Sequence, residues 1–304
     1  MHGLWDREEH REERMNELKK LLRAQNYQDA GGFFSLASPT LGGSSHQAEE
    51  VWTACASINP IHAAAATTSA DPFAKYPAMI DSKIPDEDIV VLDAGCGYGR
   101  IAIPLLKKRP RIQIVGVDAS PKMLQEFLRL LELQGHDLAY TDRLLLLHSP
   151  IQELPFPDEI FDYIYSCAVL LHNPYQDVQQ ILQEFQRLLK PTGTLWLQGS
   201  FPNIANLEGI QNAVYLKFHD ESTVNGPVRV YTQARVTQLF ASWSAVSIFP
   251  TGRIVIPRHM AKIPLPFGKA IRRFNAWGGG NGVAFIQKIF PSLFIQHFDV
   301  EAIP

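Results

Sequence analysis

Apolar and polar positions change period along the chain. Between Asp88 and Ser200 short, almost uniformly apolar runs alternate with stretches whose apolar residues recur every three or four positions. The runs are IVVLDAG, IQIVGVDAS, RLLLLHS, FDYIYSC and GTLWLQGS. Their length and unbroken hydrophobicity predict strands buried on both faces. GRIAIPLLKKRP, PKMLQEFLRLLELQG (closed by Gly135) and YQDVQQILQEFQRLLKP read as the helices between them. Strand and helix in alternation imply a parallel sheet covered on both sides. Right-handed crossovers then bring the strand C-termini to one edge, where ligands of such sheets bind.

The flanks are patterned differently. Asp6 to Arg23 is densely charged with both signs, and Trp5, Met15, Leu18, Leu21 and Leu22 give it a thin apolar stripe, which predicts a solvated or docking helix. Gly31 to Ser69 is rich in Gly, Ser, Ala and Thr and reads as loop or linker, with a short helix around His46 to Ala56. Beyond Ser200, TQARVTQLFASW reads as a helix, SAVSIFPTG as a strand and FIQHFDVEAI as a final strand. No internal repeat is present.

Composition narrows the class. The 304 residues are 46% hydrophobic and 19% charged, ordinary values for a folded chain large enough to bury its own core. A net charge of −3 argues against a dedicated nucleic-acid binder. Cys55, Cys96 and Cys167 are scattered, which excludes a disulfide scaffold and a cysteine-rich zinc site. The ten histidines show no HxxxH or HExxH spacing, so no metal site is expected. The N-terminus lacks the apolar stretch of a signal peptide and no apolar run reaches membrane-spanning length, so the expected location is cytoplasmic.

VVLDAGCGYGR carries the chemistry. A buried strand ends at Asp93, and Gly95, Gly97 and Gly99 follow at alternate positions before a helix. Such glycines let the chain turn tightly and expose backbone N–H groups to a ligand. The spacing is GxGxG, which departs from the GxGxxG dinucleotide fingerprint and disfavours a nicotinamide-dependent dehydrogenase. The next strand ends in VGVDAS, placing Asp118 at its tip, where an acid can accept hydrogen bonds from ribose hydroxyls. The residues alone therefore point to an adenosine-type ligand with its ribose on Asp118.

DAGCGYG with the later VD resembles the class I S-adenosylmethionine-dependent methyltransferases, in the small-molecule branch that includes the ubiquinone/menaquinone and sterol methyltransferases. ELPFPDEIFDYIYS, the histidine of AVLLHNP and EFQRLLKPTGTLWLQ agree in order and spacing, so the likeness runs from about Ile89 to Gln198. It implies a Rossmann-like, seven-stranded, mostly parallel sheet with a reversed hairpin at one edge. Residues 1–75 would form a helical and loop extension covering the active site. Residues 76–304 would form the methyltransferase domain, with substrate-covering insertions at about 201–230 and 257–290. The cofactor implied is S-adenosyl-L-methionine, leaving as S-adenosyl-L-homocysteine.

Carried over by position, Asp93 and Gly95, Cys96 and Gly97 would hold the methionyl part, Asp118 the ribose, and Ala119 and Met123 would flank the adenine. Tyr76, Ala94, Arg100, Ile151, Gln152 and Cys167 complete the expected cofactor set. Many relatives place an acid just upstream of the Leu-Pro-Phe segment to hold the adenine amino group. Here that stretch reads Ser149, Pro150, Ile151, leaving Gln152 or a backbone carbonyl to substitute.

His172, just after the fourth strand, is the leading candidate for a base, with Tyr175 beside it, and His172, Phe201, His219 and Tyr231 are expected to line the substrate side. Thr251 to Pro304 carries seven basic residues against Asp299 and Glu301, with phenylalanines and Trp277 interleaved. That composition suits a lid over an apolar or anionic substrate, a surface touching a membrane, or a packed cap with solvated charges.

The expected activity is methyl transfer to a small, apolar metabolite, with oxygen slightly favoured as acceptor because His172 could deprotonate it, as in the tailoring of secondary metabolites. Carbon or nitrogen of a quinone, sterol or lipid-like acceptor is the alternative. An RNA or protein methyltransferase is disfavoured by the acidic balance and by the absence of an Asn-Pro-Pro-aromatic motif, since 172–175 reads HNPY. A non-catalytic cofactor-binding protein is disfavoured by the intact glycine loop. A monomer or homodimer is expected.

Overall fold

The structure is a computed structural model that describes residues 11–36, 49–54, 80–133, 143–218, 227–253 and 295–304. Strands β3 (Val90–Ala94), β4 (Gln113–Asp118), β5 (Leu144–His148), β6 (Phe161–Cys167) and β7 (Leu189–Pro202) are mutually parallel, as their apolar runs predict. Strand β9 (Ile295–Ile303) inserts antiparallel between β7 and β8 (Ala245–Arg253), giving the reversed edge hairpin.

Among the described residues the sheet has nine strands, in the order β1-β2-β5-β4-β3-β6-β7-β9-β8. The two beyond the expected seven, β1 (Tyr27–Asp29) and β2 (Phe34–Leu36), form a hairpin whose second strand pairs with the far edge at Phe34 and Leu147. This stretch overlaps the expected linker. Asp29 Oδ1 accepts from the backbone N–H of Gly31 and of Gly32 at 2.9 and 2.8 Å, the side-chain-to-backbone closure that short acids bring to a tight turn. Three-residue strands are too short to show alternation, so the glycines alone spoke for this segment.

Helices cover both faces. Val90, Leu92 and Ala94 point to a core with Met15, Leu18 and Leu22 of α1 (Arg11–Ala24) and with Val178, Ile181, Leu182 and Phe185 of α4 (Tyr175–Leu188). Val91 and Ile114 point the other way, onto α2 (Ala102–Lys108) and onto Leu124, Phe127, Leu130 and Leu131 of α3 (Pro121–Leu133). Period two in the strands and period 3.6 in the helices thus meet in two cores. Helix α4 stops at Leu188, short of the predicted LKP, and Leu189 is already extended (ψ 139°), because Lys190 precedes Pro191 and that position disfavours helix. Helices α5 (Leu207–Phe218) and α6 (Gln233–Leu239) follow β7, and residues 49–54 are helical.

Candidate active site

The ends of β3, β4 and β6 form one edge, and three local features shape it. The first is the glycine loop. Gly95 has φ 81°, and a Cβ there would overlap the methyl groups of Val169. Gly97 has φ 54° and open space where a Cβ would be, so a ligand can lie directly on the backbone. The backbone N–H of Gly95 and of Cys96 donate to Val117 O, locking the loop to the neighbouring strand.

The second is Asp118. Its Oδ2 accepts from Gly97 N at 2.8 Å and its Oδ1 from Ser120 N at 2.9 Å. Burial pushes its carboxyl up to about 6 even though both backbone bonds favour the anion. Two donors leave lone pairs unused on a buried carboxylate, which suits it to further hydroxyl donors. Ser120 also caps α3, accepting from Met123 N at 3.3 Å, so the tip of β4 and the start of the helix form one rigid corner.

The third is Asp93, fully enclosed beneath the loop. Tyr165 OH donates to its Oδ2 at 2.8 Å. Burial, reinforced by Asp118, pushes Asp93 up to about 7, while the Tyr165 bond and Arg100 act in the opposite direction. Cys96 and Cys167 are neutral thiols, both pushed up by burial. Arg100, expected on the cofactor, aims Nη2 at Cys167 Sγ, 3.8 Å away.

The adenine side departs from the acid expected in relatives. His148, at the tip of β5, has Nε2 3.1 Å from Ala119 O and Nδ1 2.9 Å from Ser35 Oγ of the added hairpin. A carbonyl only accepts, so Nε2 carries the proton and Nδ1 accepts from the serine. Burial lowers the pKa of this imidazole. Ile151 and Met123 are buried and Gln152 is half-buried. Tyr27 OH lies 3.4 Å from Ser149 Oγ, so the hairpin braces this whole corner.

On the other side, His172 Nδ1 lies 2.9 Å from Pro227 O, which makes Nδ1 the donor and leaves the Nε2 lone pair unused by that contact. Burial, with Arg229 adding to it, lowers His172 to about 4, so it is neutral at pH 7. Arg229 Nη1 donates to His172 O at 2.7 Å. Trp52 stands edge-on to the imidazole, 4.9 Å between ring centres, and Thr53 Oγ1 is 2.9 Å from Ser120 Oγ. Residues 49–54 thus touch both the Asp118 corner and His172.

Tyr175 donates its hydroxyl to Val230 O at 2.9 Å and packs edge-on against Tyr231. Tyr231 is buried and its hydroxyl has no hydrogen-bond partner among the described residues. Phe201 is completely buried behind it, between Tyr231 and Phe240. Tyr76 and His219 lie outside the described residues. Reasoning on sequence passed over Tyr165, His148, Trp52 and Arg229. Of these only Tyr165 stood in a recognised motif, the fifth residue of a buried strand where a hydroxyl needs a partner.

Residues 91–193 match the family model described as a methyltransferase domain. The ubiquinone/menaquinone biosynthesis C-methyltransferase of Rickettsia massiliae is 35% identical over 112 residues, covering 36% of this chain and 44% of that protein. The matched stretch spans about half the length of such curated relatives, 51% for the demethylmenaquinone methyltransferase of Listeria welshimeri, which is 34% identical over 127 residues (41% of this chain). The crystal structure of geranyl diphosphate C-methyltransferase from Streptomyces coelicolor superposes with TM-score 0.52 at 13% identity, covering 87% of this chain and 99% of that one. The [4+2]-cyclase SpnF superposes with TM-score 0.54 at 14% identity, covering 87% and 98%. A cyclase on this fold shows that the architecture alone does not choose a reaction. The sequence match, which takes in the glycine loop and the Asp118 corner, is the stronger finding: over residues 91–193 the chain carries a methyltransferase domain and is similar there to the quinone C-methyltransferases.

Proposed function

We propose that this protein transfers a methyl group from S-adenosylmethionine to a small, apolar acceptor. The observation that carries the reading is the pairing of Asp118 with Gly97: a buried carboxylate with lone pairs to spare stands beside a glycine whose missing side chain leaves open space. These residues fit the cofactor. Asp118 would take the ribose hydroxyls, the loop N–H groups and Asp93 the methionyl part, and Ala119, Met123 and Ile151 the adenine. When bound, the cofactor supplies a methyl group already activated on a sulfonium.

This chain's own residues then position and enclose. Rate comes chiefly from holding the acceptor in line with the methyl group and excluding water. Trp52 and His172 form a ring-lined wall on the acceptor side. The Tyr231 hydroxyl, buried and without a partner among the described residues, is a handle for an acceptor oxygen. His172 offers an Nε2 lone pair but, at about 4, is a weak base.

Carbon is the acceptor atom favoured here by the likeness to the quinone C-methyltransferases. The sequence alone had leaned toward oxygen on the strength of His172 as base. Incubation with methyl-labelled cofactor and reduced demethylquinones, lipophilic phenols and hydroxylated metabolites in parallel tests the reading. Label is expected in the quinone-type acceptors. Label only in phenolic oxygens would reinstate an O-methyltransferase, and cofactor binding with no labelled product from any class would contradict the choice of acceptor.

A further inference from the structure

The tip of β4 is held from a side that the glycine loop does not supply. Ala119 O and Ser120 N–H belong to one peptide unit, which is planar and points its carbonyl and its N–H in opposite directions. The N–H end donates to Asp118 Oδ1 at 2.9 Å, and the carbonyl end accepts from His148 Nε2 at 3.1 Å. The peptide is therefore clamped between a carboxylate and an imidazole. Gly97 N holds Oδ2 at 2.8 Å, so the N–H of Ser120 is one of two backbone donors that fix the plane of the Asp118 carboxylate.

His148 is fixed in turn. It is the direct partner of Asp118 in the parallel ladder of β4 and β5, and Ser149 N donates to Asp118 O at 3.2 Å. The residue is buried. Ser35 Oγ lies 2.9 Å from Nδ1, closer than the alternative acceptor Leu36 O at 3.4 Å. Donation from Ser35 to Nδ1 leaves the ring proton on Nε2, where the Ala119 carbonyl needs it. Ser35 follows Phe34, whose pairing with Leu147 docks the β1–β2 hairpin on the sheet. Gln25 Nε2, just before the hairpin, donates to Pro155 O at 3.2 Å and adds a second anchor.

We propose that His148 is a positioning residue for Asp118, acting through the Ala119–Ser120 peptide, and that Ser35 of the hairpin sets the tautomer it needs. The two strands beyond the expected seven then tune the affinity of the Asp118 corner for a ribose-bearing ligand from the far side of the imidazole. Loss of the imidazole frees the peptide to rotate. Rotation withdraws the Ser120 N–H, a donor that favours the carboxylate anion. The inference rests on the methyl-transfer reading only for the identity of the ligand used to probe the corner.

The test is isothermal titration of the full chain with S-adenosylhomocysteine, paired with carbon-13 NMR titration of the Asp118 carboxyl in the ligand-free protein. His148→Phe keeps a ring and loses the Nε2 donor, and is expected to bind about 3- to 10-fold more weakly. His148→Gln, whose amide can donate to Ala119 O, should recover part of that loss. Should His148→Phe not fold, Ser35→Ala interrupts the same chain of contacts from the hairpin and should weaken binding about twofold or more. In an Asp118→Ala background His148→Phe should have no further effect, because the group it positions is gone. The Asp118 carboxyl, at about 6 in the wild-type chain, should titrate at higher pH in His148→Phe, a change that general loosening of the fold would not single out. The proposal is overturned if folded His148→Phe and Ser35→Ala bind as tightly as wild type. It is also overturned if His148→Phe costs the same factor with and without Asp118, or if the Asp118 titration does not move. A wild-type chain that fails to bind S-adenosylhomocysteine overturns the methyl-transfer reading instead, and the NMR titration then decides this proposal by itself.

Discussion

The two halves of the ligand edge are built in different ways. The half proposed for the cofactor comes from one continuous stretch, Asp93 to Met123, in which a strand, a glycine loop, a second strand and a capped helix each hold the next by short-range contacts. The half proposed for the acceptor is assembled from pieces far apart in sequence. His172 rests on Pro227 and Arg229, against Trp52, while Tyr231 packs on Tyr175 and Phe201. Contiguous construction makes a site that sequence reports directly and that tolerates little change. Assembled construction leaves the choice of acceptor to distant segments and so makes it easier to vary.

The largest effect expected from this contrast lies in the glycine loop. Gly95→Ala forces a side chain onto a left-handed backbone and against Val169, at a cost of roughly 2–5 kcal/mol of stability in urea unfolding. Adding Val169→Ala should recover the steric part of that loss and leave the backbone part. Equal stability of Gly95→Ala and wild type would remove the claim that the cofactor half is tightly determined.

On the acceptor half, His172 should make stability depend on pH. Its folded pKa of about 4 lies below the ordinary value of 6.5, so between those values the unfolded chain binds the proton and the folded one does not. The stability conferred by the buried neutral ring is intact above about pH 6.5. It declines as pH falls toward 4, by about 3 kcal/mol in all. His172→Gln should flatten that part of the curve. An unchanged slope in the variant would mean that another group carries it.

Asp93 gives the cofactor half its own pH signature. Its carboxyl, raised to about 7, is partly protonated near neutrality, and a cationic ammonium placed beside it favours the anion. Cofactor binding should therefore release protons and tighten as pH rises toward and through 7, by up to about tenfold per unit on the acid side. Calorimetry in buffers of different ionisation enthalpy measures the proton count. Tyr165→Phe removes a bond that stabilises the anion and should move the transition to higher pH. The smallest effect is Tyr231→Phe, which deletes a buried hydroxyl with no partner among the described residues. Stability should change by less than about 1 kcal/mol, and KM for acceptor should rise without loss of cofactor affinity. A large stability loss would show the hydroxyl to be structural.

What sequence could disclose follows the same division. The alternating runs foretold β3 to β7 and their helices, because a strand buried on both faces needs apolar side chains at every position. The glycine loop between the ends of β3 and β4, with Asp93 and Asp118 at its borders, was readable because its parts follow in order along one stretch. The β1–β2 hairpin was not, since six residues in two short strands carry no period and their stability comes from docking on β5. Nor was α5, whose apolar Leu207, Ile210 and Val214 are exposed and belong to neither core. Trp52, Pro227 and Arg229 meet His172 only through the fold, and no local pattern announces such a meeting. His148 was passed over for a related reason: the missing acid at Ser149 to Ile151 drew attention, while the ring beside it is set by Ser35, distant in the chain.

The central claim is that the Asp118 corner with its glycine loop binds S-adenosylmethionine. Isothermal titration of the wild-type chain and of Asp118→Ala with S-adenosylhomocysteine, and with NAD as comparison, tests it most directly. The account predicts saturable binding of S-adenosylhomocysteine, none of NAD, and an affinity about 5- to 150-fold weaker in the variant, corresponding to about 1–3 kcal/mol for a lost buried acceptor. Binding of S-adenosylhomocysteine with equal affinity by both proteins, or binding of NAD in its place, would contradict it.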